Sequence, residues 1–196
     1  MKNLCTRAAQ LAPVVSHPPA SMTASDYNQA SFSKCPSDIA VTMENIGDRH
    51  RLLTAQILIP TAVERVWQTL TDYEQLADFI PNLSESRRIS HPAGGIRLEQ
   101  IGSQSLLKFR FCARVVLDMV EHFPHQLQFE MVEGDFKTFK GTWDLQPAPE
   151  HQNTTQLTYQ LTVCPSRIIP VRAIEQRLGN NLCENLSAIR QRSLAV

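Results

Sequence analysis

ILIPTAVERVWQTLTDYEQLADFIPN, residues 57–82, changes its hydrophobic period from strand to helix and so decides the fold. Ile57, Leu58 and Ile59 close an apolar strand. Pro60 ends it, because a proline has no N–H to give to a ladder. Thr61 stands where a helix cap belongs, with Glu64 three residues on as the reciprocal partner of a capping box. Val63, Val66, Trp67 and Leu70 then recur at helical spacing and form one apolar face. Thr71 or Asp72 can cap a second short helix, with Tyr73, Leu76, Ala77 and Ile80 as its apolar positions. Phe79-Ile80-Pro81-Asn82 ends that helix.

Upstream, residues 50–59 read as the first strand. Leu53, Ala55, Ile57 and Ile59 share an apolar face, and Leu52, Thr54, Gln56 and Leu58 make a mixed one. Residues 1–48 show no sustained period and are rich in Ser, Ala, Thr and Pro. Too few apolar side chains are present to offset the entropy of ordering, so a poorly ordered extension is expected there, with one domain over residues 49–194. The alternative for this stretch is a plastid or mitochondrial targeting peptide, since residues 1–25 carry Lys2 and Arg7 and no acid; the lack of an amphipathic helix argues against it.

Downstream, six strands are predicted near 83–90, 95–102, 106–120, 126–133, 136–146 and 154–164. The third is the clearest: Leu107, Phe109, Phe111, Ala113, Val115, Leu117 and Met119 alternate with Lys108, Arg110, Arg114 and Asp118. Leu127, Phe129 and Met131 repeat the pattern, as do Phe139, Trp143 and Leu145, then Leu157, Tyr159, Leu161 and Val163. Turn signals such as His91-Pro92-Ala93-Gly94-Gly95 and Gly134-Asp135 separate the strands. Short turns without intervening helices mean an antiparallel sheet. From Val171 to Arg192 the period returns to 3.6, with Val171, Ile174, Leu178, Leu182, Leu186 and Ile189 in one stripe and Pro170 at the start.

Composition removes several functions. The chain has 196 residues with 19 basic and 19 acidic side chains, so it lacks the basic excess of a nucleic-acid binder. No stretch approaches the roughly 20 apolar residues of a membrane span. Cys5, Cys35, Cys112, Cys164 and Cys183 form no CxxC pair, and an odd count suits a reducing, cytoplasmic setting with free thiols, Cys112, Cys164 and Cys183 being buried or half-buried. Glu121-His122-Phe123-Pro124-His125 reads as a hairpin tip rather than a metal site, because its spacing is irregular. His91, His50 and His151 are read as exposed. No nucleophile elbow and no glycine-rich nucleotide loop is present. Neither a metal nor a cofactor is expected, and a monomer is the expected state.

Strand, two short helices, six antiparallel strands and a long helix give an α+β chain with a seven-stranded sheet wrapped around its C-terminal helix. Such a curved sheet leaves a gap beside the helix. The order of elements resembles the helix-grip fold of the START-like (SRPBCC) superfamily, in its polyketide cyclase/dehydrase and coenzyme Q-binding branches. The residues that carry the resemblance are Val66-Trp67, LTDYEQLADFIPNL (70–83), LEQIGSQ (98–104), ARVVLDM (113–119), GDFKTFKGTWDLQP (134–147) and the closing helix. The set also resembles members from photosynthetic organisms. Most members of the superfamily bind a hydrophobic ligand and a few cyclise or dehydrate one.

The resemblance implies a cavity. Its candidate lining is Trp67, Tyr73, Phe79, Ile80, Phe109, Phe111, Phe129, Met131, Phe139, Trp143, Tyr159, Ile174 and Leu178, for each of which plain core packing is the alternative. Glu85 and Arg87 lie two apart on one strand face. On a concave face they would orient a head group; on a convex one they would simply pair across strands. The leading function is non-enzymatic binding or transfer of an isoprenoid quinone, lipid or pigment. The rivals are a polyketide cyclase or dehydratase and an interaction module with a filled core. The short helices and the turn at Glu133–Phe136 are the expected gate, with Phe79 and Ile80 placed for transient membrane contact.

Overall fold

The computed structural model describes residues 35–106, 109–167 and 171–195, with the side chains of 103–106, 109–111, 171–174 and 176 outside that description. Its elements are β1 (Ile39–Asn45), β2 (Arg51–Ile59), α1 (Val63–Thr71), α2 (Leu76–Phe79), β3 (Leu83–Ile89), β4 (Ile96–Leu106), β5 (Phe109–His122), β6 (Gln126–Gly134), β7 (Phe136–Pro147), β8 (Thr155–Pro165) and α3 (Val171–Leu194). All strands join one antiparallel sheet in the order β1-β2-β8-β7-β6-β5-β4-β3. β1 and β3 are its free edges, so the sheet is curved but unclosed, and α3 packs on β1, β2, α1 and α2. No described helix is long and apolar enough to cross a membrane.

Among the described residues the sheet has eight strands rather than seven. β1 lies inside the segment read as an extension and pairs with β2 through Ile39↔Ile57 to Asn45↔Arg51. Only Ile39, Val41 and Met43 of β1 pack on the core, too short an alternation to stand out beside Ser, Thr and Pro. Gly47 and Asp48 turn the chain with φ of 108° and 43°, and the His50 N–H donates to the Gly47 carbonyl at 2.8 Å. The β4–β5 hairpin also moves: β4 runs on to Leu106, which pairs with Phe109, and the turn expected at 103–105 is strand. Residues 1–34 lie outside the described residues.

The expected caps are not used. Ala62 is the N-cap of α1 and Gln75 that of α2, neither with a side-chain cap bond. Thr61 is occupied otherwise: its carbonyl accepts a 2.7 Å bond from Thr155 Oγ1 of β8. Packing holds α1 in place, with Val63, Val66, Trp67 and Leu70 buried as the period required. Ser193 Oγ donates to Thr69 Oγ1 at 3.1 Å and ties the end of α3 to α1. Cys183 is not a free thiol: it forms a disulfide with Cys35, which fastens the chain ahead of β1 to α3. Cys164 is buried and free, and Cys112 is free but exposed, against the expectation.

Candidate functional site

Between the concave sheet face and α3 lies a cavity of about 370 Å³. This is near the low end of the roughly 300–1,000 Å³ usual for small-molecule sites. Its wall on β6, β7 and β8 is a run of touching rings. Trp143 and Tyr159 are directly opposite in the β7–β8 register and stack with centroids 3.9 Å apart. Tyr159 lies 5.9 Å from Phe129, Phe129 lies 5.8 Å from Phe139, and Phe139 lies 5.2 Å from Phe136. Period-2 strands place alternate residues on one face, and neighbouring strands bring those faces into register; that is why residues far apart in sequence form one aromatic surface.

Gly141 makes room for this wall. It pairs with Phe129 on one side and Leu161 on the other. A Cβ there would stand 2.7 Å from Phe129 Cζ and 1.9 Å from the Gln160 carbonyl oxygen. β4 and β5 complete the sheet side with Leu98, Ala113, Val115, Leu117 and Met119, and α3 faces them with Leu178, Leu182 and Ile189.

Of the candidate lining residues, Tyr73, Ile80, Phe129, Phe139, Trp143, Tyr159 and Leu178 border the cavity. Trp67, Phe79 and Met131 pack in or against the core without bordering it. Trp67 meets Phe123 edge-on at 5.4 Å, and the Arg192 guanidinium covers the Phe79 ring at 5.7 Å. The side chains of Phe109, Phe111 and Ile174 lie outside the described residues.

Glu85 and Arg87 do not face the cavity. Ser86 between them is the buried one, donating to the Tyr73 carbonyl at 2.6 Å, so the strand's alternation turns both neighbours outward. There Arg87 pairs with Glu85 at 3.0 Å and with Glu99 at 2.7 Å. Arg114 continues the row to Glu99 at 2.6 Å and to Glu133 at 2.5 Å. Arg114 first and Arg87 second hold the Glu99 carboxyl below its ordinary range. His91, expected exposed, organises its turn: Nδ1 accepts the N–H groups of Ala93 and Gly95 at 3.0 Å, and Nε2 lies 3.4 Å from Asp118.

The polar groups of the cavity are few. The Tyr73 hydroxyl donates to Glu121 Oε1 at 2.6 Å; burial first and that bond second push its pKa well above the usual tyrosine range. Burial does the same for Tyr159. Both phenols therefore stay protonated in any physiological medium. Gln100 donates to Ser86 Oγ at 3.2 Å. Asp135 accepts from the Arg114 N–H at 2.7 Å and returns a bond from its own N–H at 3.0 Å, which pins the β6–β7 turn to β5.

Arg177, Asn181 and Asn185 also border the cavity and were not anticipated. They recur at every fourth residue of α3, beside the apolar row Leu178, Leu182 and Leu186, and that spacing was the available signal. Glu121 was missed as a Tyr73 partner because the two are 48 residues apart in sequence.

An eight-stranded unclosed sheet gripping a C-terminal helix over an apolar cavity defines a START-like, helix-grip fold. The family described as "Polyketide cyclase / dehydrase and lipid transport" matches residues 59–187, and the chain belongs to it. No curated protein matches the sequence. Among solved structures, the fold is similar to a STAR-related lipid transfer protein from Xanthomonas axonopodis, at TM-score 0.66 and 18% identity over 83% of this chain and 97% of that one. It is similar to a START superfamily protein from Mycobacterium smegmatis, at TM-score 0.61 and 14% identity over 72% and 96%. It is also similar to the Zhui aromatase/cyclase from Streptomyces sp. R1128, at TM-score 0.60 and 14% identity over 74% and 93%.

Proposed function

We propose that the chain binds one small hydrophobic molecule in the cavity beneath α3 and carries it without chemical change. The supporting observation is the continuous ring surface from Phe136 to Trp143, opposed by the leucines of α3 around about 370 Å³ of space. Apolar walls with a few convergent polar groups are the usual construction of such sites. An isoprenoid quinone fragment, a lipid chain or a pigment is the ligand class.

The cyclase reading rests on the family description and on the aromatase/cyclase among the structural relatives. It needs a group that gives or takes a proton near neutral pH. Tyr73 and Tyr159 are both held protonated, which suits a hydrogen-bond donor better than a base.

We assign the entrance to the α2–β3 loop. Ile80, Pro81 and Asn82 border the cavity there, and one exposed bond from Asn82 to Glu184 (3.1 Å) links the loop to α3. The β6–β7 turn is fastened by Asp135 and by the Glu133–Arg114 pair, so it is the less mobile rim. Ile80 would touch a membrane during transfer. The test is transfer of a fluorescent single-chain lipid between vesicles. Ile80→Asp should slow it several-fold while circular dichroism stays native. Transfer by the folded variant at the wild-type rate would place the entrance elsewhere, and no transfer by the wild type would remove the carrier reading.

A further inference from the structure

Resting on that carrier reading, we propose that the ligand is an amphipathic acid whose carboxylate is received by Arg177 and Asn181. Among the described residues, the lining carries one cation, Arg177, and one carboxylate, Asp135. Asp135 is exposed and already takes the Arg114 N–H, while Arg177 makes no ion pair or hydrogen bond with a described residue. A half-buried guanidinium beside apolar walls is stabilised by an anion there, and the reduced dielectric strengthens that pairing over its value in water.

A second observation adds a requirement on the rest of the ligand. Asn185, two turns further along the same row, has a buried Oδ1 with no partner. Buried side-chain polar atoms are nearly always satisfied, so this acceptor marks a place where an O–H or N–H of the ligand, apart from its carboxylate, completes the bonding. The two residues lie roughly 12 Å apart along the axis, at 1.5 Å per residue.

The orientation follows from what holds α3. Arg51 Nε donates to Glu175 Oε1 at 2.6 Å, and Arg51 is level with Val163 and, through it, Phe139. Arg177 thus stands at the Phe136–Phe139 end of the cavity. The other end of α3 is tied to Thr69, so Ile189 stands near Leu70 at the opposite end. The acid head lies at the Arg177 end, and the body, with a hydrogen-bond donor level with Asn185, runs toward Leu70, Leu127 and Ile189.

The experiment is calorimetric titration of the full chain with decanoate and, separately, with decanol. Decanoate should bind about tenfold or more tightly than decanol, the worth of one charge-assisted hydrogen bond. Arg177→Met should bring that ratio close to one, and Arg177→Lys, which keeps the charge, should retain most of it. Equal binding of acid and alcohol by the wild type overturns this inference and leaves the carrier reading standing. Preference for the acid that survives Arg177→Met overturns the role of Arg177. Binding of neither probe overturns the carrier reading itself.

Discussion

Trp143→Ala separates a ligand wall from a sealed core. In a sealed core, truncating Trp or Phe to Ala costs about 3–5 kcal/mol. Trp143 is only half-buried: one ring face stacks on Tyr159 at 3.9 Å and the side chain borders the cavity. The packing lost is therefore close to half that of a sealed site. With about 1 kcal/mol more for the stacked pair, the expected loss is about 3 kcal/mol. Two residues on, Leu145 is 0% exposed and outside the cavity lining, so Leu145→Ala should cost the full 2–5 kcal/mol, about 3.5 at its centre. The smaller side chain should thus cost as much as the larger one. Urea unfolding followed by circular dichroism measures both, and uptake of a small apolar ligand is measured alongside. If Trp143→Ala costs well over 1 kcal/mol more than Leu145→Ala and leaves uptake unchanged, Trp143 is core and the wall is misassigned.

Gly141→Ala should destabilise by about 1–3 kcal/mol, toward the upper end because the obstructing atom is the Gln160 backbone oxygen rather than a flexible tip; a neutral denaturant midpoint would contradict the close approach. Glu99 has a folded pKa below its ordinary 4.5, so its stabilising effect is fully present above that pH and is lost as pH falls through the folded value. The stability difference between wild type and Glu99→Gln should accordingly be visible at pH 7 and shrink as the pH falls below the ordinary 4.5. A difference that stayed constant across that range would show that the Arg87–Glu99–Arg114 row contributes nothing through charge.

Long, regular alternation made most of the sheet legible. The inward positions of β2, β5, β6, β7 and β8 follow directly from period 2, and α1 and α3 from period 3.6. β1 was illegible because three apolar residues in a polar segment carry almost no periodic signal, and its place comes from pairing with β2. The caps failed for a related reason: Thr61 had the right side chain, but a tertiary bond to Thr155 claimed its backbone. The aromatic half of the site was readable, since Phe129, Phe139, Trp143 and Tyr159 had to share a face. Its polar half was not. Arg177, Asn181 and Asn185 look like an ordinary solvated flank until the sheet curls over them. Glu85 and Arg87 could face either way from spacing alone, and the buried Ser86 decides it.

The central claim is that the space beneath α3 is occupied by a ligand rather than filled by side chains. Native mass spectrometry of the protein purified from its own cells, compared with Ala113→Phe, tests it most directly. Ala113 borders the cavity from β5, and a benzyl group there takes up part of about 370 Å³. The wild type should carry the added mass of one solvent-extractable small molecule, and the folded variant should have lost it. A wild type at its bare mass that also takes up neither decanoate nor decanol, or a ligand that persists in the folded variant, would contradict the account.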